Sequence, residues 1–475
     1  MPACFAGPRF FLTSGGGRPT LRGMKSMPRR QFLKHSLKAS AGVAALSGVG
    51  GRQVLGANEK PQVALIGCGG RGDYDARGIV AAGARLAWLC DVAPDRCGKT
   101  VRFLERFAPD TKASAIRRTT HWERVLEDPS VDAIIVATPD HWHALPTVAG
   151  ALAGKDVYVE KPHSLDIHES QVMMQAAERT GRIIQVGTQN RSGAYNHRAL
   201  EYLRSGKLGP IHLVKVYNLK NGKPYHLGNP GTPPAGFDWD AWLGPAPKRP
   251  FYQSIPFGHG WLRFWDFSSG ELGGDGIHQL DLALMLLGDP GLPRSVSAAG
   301  GKLAHPDDDS EMPDLLVTSF EFDGLVLTFE HSNYPKYMTK TTTTIRKNDK
   351  FPFWLHNSTR IEIYGAEQMM VVGRHGGGWQ ATIYPWEVVA QEYGRPCDDE
   401  HYADFLECVK TRKRPNADVR TLHPAVCMVH MANIAHRVGN RKLWFDAKTQ
   451  RFDEPKANEL LSYRYRAPYA LPKAG

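Results

Sequence analysis

Two short stretches hold side chains able to move protons and charge. In Val157-Tyr158-Val159-Glu160-Lys161-Pro162 an apolar run ends in an acid, a base and a proline. The proline ring fixes its own φ and pushes the residue before it into extended geometry, which aims the Lys161 ammonium into a cleft. In Gly270-Glu271-Leu272-Gly273-Gly274-Asp275-Gly276-Ile277-His278-Gln279-Leu280-Asp281 a histidine sits among glycines, leucines and carboxylates. An imidazole with an unperturbed pKa of ~6.5 exchanges its proton near neutral pH, so His278 suits general acid–base work.

Periodicity identifies the elements that must position these groups. Apolar runs at 62–66, 86–90, 131–137 and 156–159 read as buried strands, and a helical pattern fills 143–152 with Gly154 as its stop. Strand and helix alternate, which predicts a parallel α/β sheet covered on both faces, and Lys161 then stands at a strand's carboxyl end, where such sheets bind ligands. From about residue 183 the pattern changes. Longer strand-like runs at 211–217, 315–322, 325–330 and 360–364, with an Asp323-Gly324 hairpin turn, predict an α+β domain with a large, mostly antiparallel open sheet. The expected division is a leader over 1–57, a Rossmann-type domain over 58–185 and the α+β domain over 186–475.

The first strand runs into Gly67-Cys68-Gly69-Gly70-Arg71-Gly72, a helix follows, and Asp91 ends the second strand nineteen residues after the last glycine. That context is what a dinucleotide site needs. Gly67 permits the turn, Gly69 lets backbone approach a pyrophosphate, Gly72 lets helix and strand pack, and the helix N-terminus offers N–H groups to phosphate. An acid at Asp91 accepts from ribose hydroxyls and repels a 2′-phosphate, which favours NAD over NADP, although Arg96 nearby is suited to a phosphate.

Together with Ala137-Thr138-Pro139-Asp140-His141-Trp142-His143, the Glu-Lys-Pro stretch resembles the Gfo/Idh/MocA oxidoreductases (glucose–fructose oxidoreductase, inositol dehydrogenase and relatives). The resemblance implies that Lys161 lies between nicotinamide and substrate, with His278 beside it. It further implies a cofactor site built from Gly67, Gly69, Gly70, Arg71, Gly72, Asp91, Thr138, Pro139, His143, Glu160, Lys161 and Gln189. The family carries Asp four residues before the histidine; here that position is Gly274 and the acid falls at Asp275. Residues three and four apart share a helix face, so Asp275 is assigned a catalytic place beside His278. The aromatics of 261–265 divide between core and a sugar-stacking platform, and no metal is expected. The implied chemistry is hydride transfer to or from a sugar, cyclitol or polyol. NAD-assisted glycoside cleavage and non-catalytic dinucleotide binding are the competing readings, the latter disfavoured by intact Lys161 and His278. The open sheet exposes one broad face, and the resemblance implies that a homo-oligomer buries it.

The net charge of +11 does not indicate nucleic acid. Residues 1–57 hold nine Lys or Arg and no acid, so the remainder has 50 basic against 48 acidic residues and no phosphate-binding footprint. The leader's Arg29-Arg30-Gln31-Phe32-Leu33-Lys34 resembles a twin-arginine export signal. Its apolar stretch is too short and Gly-rich to span a bilayer, so the expected partners are the twin-arginine translocase and a small-molecule substrate, and the expected location is periplasmic.

Overall fold

Six short strands, β1 (Gln62–Ile66), β2 (Arg85–Cys90), β3 (Arg117–Thr119), β4 (Ala133–Val136), β5 (Asp156–Val159) and β6 (Ile184–Val186), pair in parallel in the order β3-β2-β1-β4-β5-β6. The computed structural model describes residues 60–107 and 113–473, so the leader expected over 1–57 lies outside the described residues. Every residue of β4 and β5 is buried, as strands covered on both faces must be. Alternate residues serve the two faces. Val63 and Leu65 pack with α1 (Gly70–Ala81) and α2 (Pro94–Phe107), while Ala64 and Ile66 pack with α3 (Ala144–Leu152) and α4 (Ile167–Thr180). Strand order reverses between β1 and β4, which opens a crevice at their carboxyl ends. Both the glycine loop and Thr138 stand there.

A ten-stranded sheet forms from β7 (Ile211–Leu219), β8 (Ser295–Gly301), β9 (Leu315–Phe322), β10 (Leu325–Ser332), β11 (Arg360–Gly365), β12 (Met369–Gly373), β13 (Trp379–Ile383), β14 (Glu387–Glu392), β15 (Leu443–Asp446) and β16 (Arg451–Phe452). Its order is β14-β13-β12-β11-β7-β10-β9-β8-β15-β16, antiparallel except where β7 meets β10. The turn after β9 uses Gly324 at φ +73°, with Phe322 opposite Leu325 as the Asp-Gly signal predicts. Alternation along β9 buries Leu316, Phe320 and Phe322 against helices and leaves Val317 on the open face, 40 % exposed. The covering helices are α5 (Ala194–Arg204), α6 (Ile277–Leu286) and α8 (Val419–Arg437).

One helix departs from the linear division of the chain. α7 (Asp398–Thr411) returns to the parallel sheet, and its Tyr402, Phe405 and Leu406 join the core of β1, β2 and α1. Tyr402 Oη donates to Asp75 Oδ1 at 2.7 Å. The cut expected after residue 185 is therefore a change of sheet and not a boundary in space; periodicity shows that a helix is amphipathic but not which distant layer it covers. A Cβ at Gly78 would lie 2.2 Å from the Tyr402 ring, so α1 and α7 approach only because Gly78 has no side chain. Replacement Gly78→Ala is expected to destabilise the fold by about 1–3 kcal/mol through overpacking, read as a lowered denaturant midpoint.

Candidate active site

The glycine loop separates what the protein needs for itself from what it leaves open. Gly67 has φ +94°, and a Cβ there would lie 2.6 Å from the Ala137 carbonyl oxygen; a Cβ at Gly72 would lie 2.0 Å from the Gly67 carbonyl. These two glycines are fixed by the strand–turn–helix itself. Gly69 and Gly70 are not. A Cβ on Gly69 meets only Arg96 Nη1 at 4.0 Å, and one on Gly70 meets nothing within 4 Å. Their lack of side chains keeps open a cradle at the α1 N-terminus, where free N–H groups suit a diphosphate. The residues present thus fit a dinucleotide.

Asp91 stands on the cradle wall, but its carboxylate is already engaged. Oδ2 accepts from the Cys68 N–H and Oδ1 from the Ala93 N–H, both at 2.8 Å. Asp91 therefore shapes the loop as well as presenting charge to a ribose. Across the cradle, Arg96 donates to the Pro256 carbonyl at 3.2 Å and its guanidinium lies 5.4 Å from the Phe257 ring centroid. Pro256 and Phe257, from the Gly/Pro/aromatic stretch 221–262 of the second domain, thus stand against the cradle wall.

The cradle continues into a cavity of about 680 Å³ that reaches Thr138, Pro139, His143, Glu160, Lys161 and the π-turn before α6. Glu160 faces Arg71, whose Nε and Nη2 each approach Oε1 at 2.9 Å; Arg71 also reaches Asp75 at 3.0 Å. Burial raises the Glu160 pKa, yet Arg71 and then Lys161 outweigh it and hold the carboxyl below its ordinary value. Arg71 is consequently committed to joining α1 to the end of β5. His143 braces the loops after β4 and β5: Nδ1 lies 2.6 Å from the Pro162 carbonyl and Nε2 2.8 Å from that of Thr138. Burial lowers its pKa.

Lys161 projects into the cavity and its Nζ donates to the Gly274 carbonyl at 2.8 Å. Residues Leu272–Gly276 form a π-turn ahead of α6, the kind of irregular turn that releases backbone groups for other partners. Where the family pattern has a carboxylate, this chain presents the carbonyl of Gly274. Asp275 also lines the cavity, but as an ion-pair centre, 2.8 Å from Lys340 Nζ and 3.0 Å from Lys220 Nζ, with Lys220 reaching Glu271 at 2.6 Å. Although burial raises the Asp275 pKa, Lys220, Arg374 and Lys340 outweigh it and hold the carboxyl well below its usual range.

Two expected positions differ. His278 is 4 % exposed and lies behind the residues that line the cavity, with Nδ1 buried and unpartnered among the described residues. Its pKa is driven well below the ordinary value by burial, then by Arg374 and Lys161, so it is neutral at pH 7 and not poised near neutrality. Gln189 does not reach the cavity. Its Nε2 donates to Tyr158 Oη at 3.4 Å beneath the sheet end, and its carbonyl accepts from Cys397 Sγ, because the short 3-10 turn after β6 points it inward. The sequence reading passed over Asp140, Lys220, Glu271, Lys340 and Arg374. Asp140 accepts from Ser268 Oγ at 2.7 Å and burial pushes it up to about 7. Asp140 and Glu271 lay inside motifs read for their neighbours; Lys220, Lys340 and Arg374 lie in loops with no local signal. Of the aromatics, Phe264 is core, whereas Trp261 lines the cavity.

Comparison with known proteins agrees with this architecture. Residues 62–188 match the model of an oxidoreductase family with an NAD-binding Rossmann fold, and residues 221–318 and 370–471 match that family's C-terminal alpha/beta domain. The NAD-dependent scyllo-inositol 2-dehydrogenase of Bacillus subtilis is 30% identical over 165 residues, 34% of this chain and 45% of that protein. A glycosyl hydrolase family 109 protein of Stenotrophomonas maltophilia is 28% identical over 215 residues, 44% of this chain and 46% of its own length. The chain thus spans a little under half the length of these curated relatives. The WlbA dehydrogenase of Chromobacterium violaceum, solved with NADH and UDP-GlcNAcA, superposes with a TM-score of 0.60 at 20% identity, over 82% of this chain and 98% of that one. With both halves matched in order, and the cradle, Lys161 and the π-turn ahead of α6 facing one cavity, the chain belongs to the Gfo/Idh/MocA oxidoreductase family.

Proposed function

We propose that this protein is an NAD-dependent oxidoreductase acting on a hydroxyl carbon of a sugar, cyclitol or related polyol. The observation that carries the reading is Lys161, held by the Gly274 carbonyl inside the same cavity as a cradle kept open by Gly69 and Gly70. Bound NAD supplies the hydride acceptor. Lys161 polarises the substrate oxygen, and Asp140, which lines the same cavity and is pushed up to about 7 by burial, is the group placed to take the hydroxyl proton, the neutral ring of His278 lying behind the lining. Glu271 and Asp275 are placed to accept from substrate hydroxyls, and Trp261 offers a ring face to a sugar. The carboxylate of Asp91 on the cradle wall, with Arg96 engaged by Pro256 and Phe257, supports NAD over NADP. Lys161→Ala is expected to bind NAD yet lose at least a hundredfold in turnover; unchanged turnover would overturn the assignment.

Similarity to a glycosyl hydrolase family 109 protein favours one second reading, in which oxidation is transient and an aglycone leaves. Net NADH accumulation over a sugar and glycoside panel marks the first reading; aglycone release without it marks the second. Export by the twin-arginine translocase to the periplasm, and self-association across the open face bearing Val317, complete the proposal.

The charge environment of His278 gives a titration test. Removing a positive neighbour eases protonation, so Arg374→Gln is expected to raise the His278 pKa, while in the native protein the ring stays neutral well below pH 6.5. Histidine NMR on the full chain reads both. The Arg96–Phe257 closure further implies slow cofactor release. Protein purified without added nucleotide is expected to yield near-stoichiometric NAD(H) on denaturation, and Arg96→Ala to yield markedly less.

A further inference from the structure

The substrate end of the cavity holds more positive charge than the protein neutralises. Two loops of the second domain meet there: a Cβ on Gly376 would lie 3.7 Å from the Arg346 Cα, and Thr341 Oγ1 donates to the Gly376 carbonyl at 3.4 Å. This contact brings Arg346 and Arg374 within each other's electrostatic reach and that of Asp275, close to Lys340, which lines the cavity together with Lys161 and Lys220. Among the described residues, only Glu271 and Asp275 come within ion-pair distance of any of these five cations, and both are used by Lys220 and Lys340. Arg346 donates from Nε to the Thr341 carbonyl at 2.6 Å and has no acid within ion-pair distance among the described residues, Asp275 and Asp398 acting on it only from farther away. Arg374 has no side-chain hydrogen bond or ion pair among the described residues, and its Nε is buried without an acceptor. Burial, then the mutual repulsion of Arg374 and Arg346, lowers the Arg346 pKa, and burial lowers that of Arg374. A guanidinium whose Nε is buried with no acceptor is destabilising, and proteins retain such groups where a ligand supplies the counter-charge.

Resting on the oxidoreductase reading, we propose that the substrate is anionic: a sugar or polyol bearing a carboxylate or a phosphate ester, whose charge is bound by Arg374 with Lys340 and Arg346. The planar guanidinium suits either group, since both present paired oxygens to its fork. Glu271 and Asp275 then serve the uncharged hydroxyls and repel an anion from the wrong end, so the charged rim orients the substrate relative to Lys161.

The test is calorimetric titration of the NADH-loaded full-length protein with matched neutral aldose, uronate and aldose phosphate in the gluco, galacto and manno series. An anionic compound is expected to bind about tenfold to a hundredfold more tightly than its neutral partner, the span of a charged hydrogen bond. The uronate and phosphate arms identify which anion. Arg374→Gln is expected to abolish the preference, and Arg374→Lys to restore part of it, which a merely structural role would not. Equal binding of neutral and anionic partners in all three series, or a preference untouched by Arg374→Gln, overturns the proposal. Binding is read independently of turnover, so failure of the whole panel to reduce NAD counts against the oxidoreductase reading alone.

Discussion

The contact between the Lys161 ammonium and the Gly274 carbonyl joins the two halves of this molecule inside the cavity that the glycine cradle opens into. One partner ends a strand of the parallel sheet; the other lies in the π-turn that opens a helix of the second domain. A backbone carbonyl is a neutral acceptor. It orients the ammonium without cancelling its charge, so Lys161 remains available to an oxygen that gains negative character. A carboxylate in the same place would compete for that charge. The displacement of the acid by one residue, from position 274 to 275, is therefore a change in electrostatics as well as in sequence.

Much of the surrounding structure serves to keep that contact in place. Arg71 links α1 to the end of β5 through Glu160, whose carboxylate is buried while the guanidinium stays part-exposed. His143 ties the neighbouring loop to Pro162. Arg191, buried beneath α6, pairs with Asp281 at 2.7 Å and Asp289 at 2.7 Å and fixes the helix that carries His278. Arg71 and Arg191 thus each have an assigned acid. Arg346 and Arg374 have no acid within ion-pair distance among the described residues, and Arg374 Nε is buried without an acceptor.

The same electrostatics set the protonation of the site. His278 is neutral because burial, Arg374 and Lys161 all oppose a further positive charge. Asp140, close enough for Lys161 to ease its ionisation, is nonetheless pushed up to about 7 by burial. Acid–base behaviour near neutrality thus belongs to Asp140 more than to the histidine whose residue type first suggested it.

The amino-acid sequence alone determined what depends on near neighbours. Strand and helix periodicity, the two glycines that a strand–turn–helix demands, the hairpin at Asp323-Gly324 and the placement of Lys161 at a strand end are all local consequences of backbone sterics and apolar spacing. What only the tertiary structure decided involves residues far apart in the chain. The return of α7 to the first sheet, the inward turn of Gln189, the use of Gly274 as an acceptor, and the pairing of Lys220 and Lys340 with an Asp275 that also feels Arg374 leave no short-range signature. Charge acts through space, and a pKa follows from every group within a few ångströms whatever its place in the sequence. A histidine's type could therefore be read at once, but its protonation only after burial and distant cations had been placed around it.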